Sequence, residues 1–164
     1  MQDFSLATTE LLDKASRICV GRGARLTELR RLVLGLIIDS AAPVGAYELM
    51  ERMRSSRGPA APPTVYRALD FLLEQGLVHR VERLSAFIAC IEEHGHDHGA
   101  QFLICSQCRR VTEIEDRGVD HALRRAAAQA GFSLTGASVE AMGVCAECAV
   151  NPAAASPGSS SAGH

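Results

Sequence analysis

Tryptophan is absent from this chain, and aromatic residues make up only 4% of its 164 positions. A core without large rings is modest, and small cores of that kind often need a staple such as a metal ion. No apolar run approaches the ~20 residues that a membrane span needs, and no cationic, apolar leader opens the sequence. These two absences predict a soluble cytoplasmic protein with no membrane partner. Charge of either sign is also scarce in net, at -2, a balance that says nothing for or against nucleic acid. No Ser/His/Asp arrangement and no paired catalytic carboxylates stand out, so an enzyme with a small-molecule substrate is not expected.

What is present points elsewhere. Apolar residues reach 47%, enough for a packed core, and 164 residues suit one ordinary domain or two small ones. The charge is unevenly spread. Residues 1–83 carry 12 basic and 10 acidic groups, whereas residues 84–164 carry 5 and 9. Arg17, Arg22, Arg25, Arg30 and Arg31 fall close together with a single acid, Glu28, among them. A local basic patch binds phosphates even on an acidic protein, although a solvated helix face would look the same.

The periodicity predicts a helix over 6–21, with Leu11, Leu12, Ala15 and Ile18 on one side. Thr27 suits the N-cap of a second helix with the stripe Leu29, Leu32, Val33, Leu36 and Ile37. A third helix is expected over about 46–55, with Leu49 and Met53 inward. A fourth opens at Pro63 or Thr64, where proline suits the first turn. Its core face is Val65, Leu69 and Leu72, and Gly76 ends it. Residues 77–81 and 87–90 read as two strands joined by a polar turn. That order is a winged helix-turn-helix. After a His-rich, polar stretch come a strand over 101–105, a strand over 111–115, a helix over 119–130 and a strand over 138–143. The fold class is therefore α+β. Domain boundaries are expected at 1–91, a linker at 92–99, an α/β domain at 100–150 and a disordered tail at 151–164, rich in Ala, Pro, Gly and Ser.

Six cysteines in a reducing compartment argue for metal or thiol chemistry before disulfides. Cys105-Ser106-Gln107-Cys108 and Cys145-Ala146-Glu147-Cys148 are two Cys-x-x-Cys turns. Each aims two thiolates at one point, and together they supply a closed tetrahedral shell for structural zinc (Zn2+). A looser set comprises His79, Cys90, His94, His96, His98 and Glu113, spread over wing, linker and second domain. Its mixture of thiolate and imidazole favours zinc over the hard, oxygen-rich sites of manganese or magnesium. Cys19 reads as a buried helix residue. His121 with Glu115, His94 and His96 is a candidate third site.

The run Pro62-Pro63-Thr64-Val65-Tyr66-Arg67-Ala68-Leu69-Asp70-Phe71-Leu72-Leu73-Glu74-Gln75-Gly76-Leu77-Val78-His79 resembles the recognition helix and first wing strand of the ferric uptake regulator family, most of all its zinc uptake regulator branch. Arg25-Leu26-Thr27 and the spaced Cys-x-x-Cys pairs agree, and the resemblance covers nearly all of residues 6–148. It implies a homodimer with a C-terminal dimerisation domain, binding AT-rich palindromic DNA when metal-loaded. It also implies structural zinc on Cys105, Cys108, Cys145 and Cys148, and a regulatory zinc on His79, Cys90, His98 and Glu113, with His96 and then His94 as substitutes for His98. Tyr47 and Arg67 match family positions that meet DNA. Arg67 would face outward from the fourth helix and is able to donate two hydrogen bonds to guanine. Thr64 and Tyr66 suit phosphate or a thymine methyl, and Arg25 belongs to the basic cluster; half-buried packing is the other reading of Tyr47. The expected function is a zinc-responsive repressor of zinc uptake genes. The alternative is a repressor of the same family sensing iron, manganese or another signal.

Overall fold

Thr8, Leu12, Ala15 and Cys19 recur every three to four positions along the first helix and are all buried. They define the inner face of α1 (Leu6–Gly21), whose N-cap Ser5 accepts a hydrogen bond from the Thr8 amide at 3.1 Å. The coordinates are a computed structural model that describes residues 3–58, 61–91 and 99–151. They divide into two compact units, Met1–His96 and Asp97–His164.

In the first unit α1 is followed by α2 (Glu28–Ile38), β1 (Val44–Gly45), α3 (Ala46–Arg57), α4 (Pro62–Glu74), β2 (Val78–Val81) and β3 (Ala86–Ala89). Thr27 caps α2 as its sequence predicts. Leu32, Val33, Leu36 and Ile37 are buried, together with Leu49, Met53, Val65, Leu69 and Leu72 from α3 and α4. Leu11 departs from expectation, being 38% exposed. Thr8 takes the inward place because its hydroxyl bonds both Ser5 and the Asp39 carboxylate at the end of α2. That satisfies a buried polar group. Gly76 ends α4 at φ 63°, with Leu77 N–H donating to Leu72 C=O and Gly76 N–H to Leu73 C=O, both at 2.9 Å. Only a left-handed residue closes the helix this way, which is why glycine stands there.

The strands β1, β3 and β2 form one antiparallel sheet, with β3 central. The two-residue β1 was not evident from the sequence because so short a strand carries no alternation. A 3-10 turn, Glu82–Leu84, joins β2 to β3.

The second unit holds β4 (Ala100–Cys105), β5 (Val111–Ile114), α5 (Arg117–Gln129), β6 (Ser138–Gly143) and α6 (Ala146–Val150). Its sheet runs β5-β4-β6, antiparallel between β4 and β5 and parallel between β4 and β6. Asp116 caps α5, accepting from the Gly118 and Val119 amides. The Gln101 side chain bonds the Asp116 backbone in both directions, holding the start of α5 to β4. No helix among the described residues is long and apolar enough to cross a membrane.

Candidate metal centres and nucleic-acid interface

The sheet of the second unit delivers both Cys-x-x-Cys turns to one end. The parallel register of β4 and β6 finishes with Cys105 opposite Gly143, so the turns that follow leave the sheet side by side. The Ser106 amide donates to the Gly143 carbonyl at 2.8 Å and locks them together. In the first turn, Cys105 N–H donates to Arg110 C=O at 2.9 Å and Arg109 N–H to Cys105 C=O at 3.0 Å. This closure puts Arg109 at φ 61°, a left-handed conformation that costs a non-glycine residue roughly 1–2 kcal/mol. Glycine also loses more backbone freedom on folding, so Arg109→Gly is expected to stabilise the fold by up to about 1 kcal/mol, measured by urea unfolding of the metal-loaded protein. In the second turn Cys145 is the N-cap of α6 and Cys148 stands inside its first turns.

All four sulfurs lie within 4.8 Å of one another and form no disulfide. The Cys108 and Cys145 sulfurs are 3.8 Å apart. A tetrahedron with metal–sulfur bonds of about 2.3 Å has sulfur–sulfur edges of about 3.8 Å, so the set fits a four-thiolate ion. Backbone amides assist. The N–H groups of Cys108 and Cys145, the latter at 3.4 Å from the Cys105 sulfur, pull the Cys105 thiol down to about 6. Burial pushes Cys148 up to about 12, with the neighbouring thiols adding to it. The Cys105 thiol thus gives up its proton more readily than that of Cys148, and binding of a cation displaces the protons that remain.

Arg110 and Glu147, one beside each turn, form an ion pair at 2.7 Å. The pair holds the Glu147 carboxyl below its usual range. The sequence reading passed over it. The available signal was an arginine two residues beyond Cys108 and an acid inside the second Cys-x-x-Cys.

The wing of the first unit brings His79 and Cys90 together. The β2–β3 register sets His79 opposite Ile88 and Val78 opposite Ala89, and Cys90 N–H continues it by donating to Leu77 C=O at 3.0 Å. Alternation along antiparallel strands then points His79 and Cys90 to the same face as diagonal neighbours. Their ligand atoms lie within 4.8 Å of each other, with Cys90 buried. Glu113 belongs to the second unit, where it is exposed on β5 opposite Phe102. His94, His96 and His98 lie outside the described residues. His121 on α5 and Glu115 are exposed; the other two members of the candidate third site, His94 and His96, lie outside the described residues. Cys19 is buried, as expected.

Helix α4 presents Thr64, Tyr66, Arg67 and Asp70 outward, opposite Val65, Ala68, Leu69 and Leu72. Tyr47 in the first turn of α3 is 74% exposed, against the half-buried reading. The basic cluster resolves into two groups. Arg22 donates to the Gln75 carbonyl, and Arg31 pairs with Asp13 at 2.7 Å. Arg30 stacks 3.5 Å from the Phe71 ring centroid and donates to the Arg25 carbonyl at 2.7 Å. These three brace helices; Arg17, Arg22 and Arg25 are all exposed.

Residues 21–142 match the Ferric uptake regulator family. The chain belongs to the ferric uptake regulator family. That match runs from the end of α1 to β6 and so takes in both units of this family member. Among its relatives is the Zinc uptake regulation protein of Escherichia coli (strain K12), 42% identical over 141 residues, which are 86% of this chain and 82% of the relative. The Ferric uptake regulation protein of the same organism is 33% identical over 106 residues, 63% of this chain and 69% of the relative. A solved zinc uptake regulator complexed with zinc and DNA superposes with a TM-score of 0.83 at 40% identity, covering 89% of this chain and 97% of that one. This family member thus has the mixed α+β fold of a DNA-binding regulator rather than of an enzyme.

Proposed function

We propose that this chain is a zinc-responsive transcriptional repressor that binds operator DNA as a homodimer and turns down zinc uptake genes in the cytoplasm. The observation that carries the reading is the His79–Cys90 pair on the wing. Imidazole with thiolate is zinc chemistry, and a thiolate sets this site apart from the oxygen- and nitrogen-rich sites of harder metals. The greater likeness to the zinc regulator of E. coli than to its iron regulator agrees.

In this reading Cys105, Cys108, Cys145 and Cys148 hold structural zinc and shape the dimerisation domain. His79, Cys90, His98 and Glu113 hold the regulatory zinc, with His96 or His94 able to replace His98. Zinc supplies a compact divalent centre that ligands from separate elements share. His79 and Cys90 come from the wing (domain 1–91), Glu113 from the second domain (100–150), and His98 from the linker (92–99) between them. Ligation from all three narrows the range of wing positions to those that suit successive major grooves of an AT-rich palindrome. Arg67 reads guanine; Thr64, Tyr66, Tyr47 and Arg25 engage the backbone or neighbouring bases. Dimerisation is supported by apolar surface that the second unit leaves open: Leu103, Met142 and Val144 are 46%, 48% and 50% exposed, and α5 buries only Asp120. An amphipathic helix with its apolar stripe unburied fits a second copy of the chain.

The test is selection from a random double-stranded DNA pool with zinc, iron(II), manganese(II) or no metal. An AT-rich palindrome recovered with zinc at the lowest free concentration supports the reading. Recovery with iron(II) at lower free metal would replace it with the iron-sensing alternative. On the selected site, Arg67→Ala is expected to bind about 5- to 150-fold more weakly, the worth of one bidentate base contact. Binding to unrelated DNA should change little, as read by fluorescence anisotropy.

A further inference from the structure

The four-thiolate centre has a charge problem. Four thiolates around one divalent cation leave a net charge of -2, and two of the sulfurs, those of Cys105 and Cys148, are buried. Arg110 stands two residues beyond Cys108, and its guanidinium lies in the field of the Cys108 and Cys145 sulfurs. The same guanidinium reaches across to Glu147 at 2.7 Å. Glu147 lies on α6, between the two cysteines of the second turn. The ion pair therefore ties the β4–β5 turn to the α6 turn over the sulfur cluster. The turns are also tied by the Ser106–Gly143 bonds, by the Cys145 amide to the Cys105 sulfur, and by the Cys108 and Cys145 sulfurs 3.8 Å apart. The ion pair adds a tie from within α6 that does not pass through the sulfurs.

We propose that the Arg110–Glu147 ion pair is a latch that retains the metal: it holds α6, and with it Cys145 and Cys148, against the first turn and so slows loss of the ion. This rests on the reading of the four cysteines as a zinc site. Loss of a four-thiolate ion proceeds by letting go of ligands in sequence. Because α6 is a helix of only five residues, it is the half of the site that opens. Both side chains are more than half exposed, at 51% and 69%. Exposed pairs shift an equilibrium by about 5-fold at most and are weakened by salt. The latch is thus modest and its effect depends on ionic strength.

The experiment measures zinc release from the full-length, zinc-loaded protein to a chromophoric chelator, at low and at high salt. For the parent protein, the slowly released zinc should come out faster as salt rises. Arg110→Ala and Glu147→Gln are each expected to release it about 2- to 5-fold faster at low salt, with the salt dependence gone. The double variant should be no faster than either single one, and the exchanged pair Arg110→Glu with Glu147→Arg should recover part of the retention. Far-UV circular dichroism and dimer content of the zinc-loaded variants should match the parent. Parental release rates in both single variants, or single effects that multiply in the double variant, would overturn the latch and leave the zinc site standing. A parent protein with no slowly released zinc would overturn both.

Discussion

A Cys90→Ser variant is expected to need about 100-fold more free zinc, or more, for half-maximal DNA binding, while keeping one tightly held zinc per chain. Even partners that only orient a metal ligand shift affinity by about 10- to 100-fold, and Cys90 is proposed as a ligand itself. Serine keeps the size of the side chain but offers a hard hydroxyl that does not ionise near neutral pH, and zinc loses its soft donor. The substitution leaves the backbone bond from Cys90 N–H to Leu77 C=O in place, so the wing strands remain paired. His79→Ala should act in the same direction, because both side chains stand on one face of the same two strands. The check is anisotropy of labelled DNA across a series of zinc buffers, beside a zinc count on the chelator-treated protein. Full zinc-dependent binding by Cys90→Ser would remove the regulatory assignment from the wing.

Cys108→Ser is expected to fail differently and more severely. Among the described residues, the buried apolar positions of the second unit are few: Phe102, Ile104, Cys105 and Cys148. Two of these four are metal-ligand candidates. A structural zinc site contributes roughly 10–16 kcal/mol of apparent folding free energy, as much as or more than the whole stability of a small domain. Losing one of four thiolates should therefore unfold the second unit and abolish the dimer, and strong chelation of the parent protein should do the same. The first unit has a separate core of α1 to α4 and the wing, so much of the helical signal should survive. Light scattering after size exclusion reads the loss of dimer, and circular dichroism reads the retained helix. A zinc-free Cys108→Ser protein that stayed dimeric and bound DNA would show that the four cysteines are not a staple.

Much of this was legible from residue pattern because the elements are amphipathic and well punctuated. Val65, Leu69 and Leu72 announce α4, and all three are fully buried. Thr27 and Gly76 mark helix ends through hydrogen bonds that only a cap or a left-handed residue makes. The cysteine spacing gave the four-sulfur cluster outright. Three kinds of feature escaped. Short elements such as β1 and α6 carry too few residues for a period to register. Polar side chains that tie elements together carry no period either. Thr8 is buried because it bonds Asp39, and Arg22, Arg30 and Arg31 brace helices although their spacing suggests a phosphate-binding patch. Long-range pairs leave no local pattern: Arg110 and Glu147 are 37 positions apart and meet only because β4 and β6 run parallel. The histidines His94, His96 and His98 remain sequence-derived ligands, since the described residues stop at Ile91 and resume at Gly99.

The central claim is that two zinc ions per chain have different duties, one holding the fold and one switching DNA binding. The most direct measurement combines native mass spectrometry with DNA anisotropy over one series of free zinc concentrations. The account predicts that the dimer carries one zinc per chain at the lowest free zinc and binds the selected palindrome weakly. Binding should then rise in step with a second zinc per chain. Tight specific binding with a single zinc per chain, or a second zinc that loads without changing DNA affinity, would contradict it.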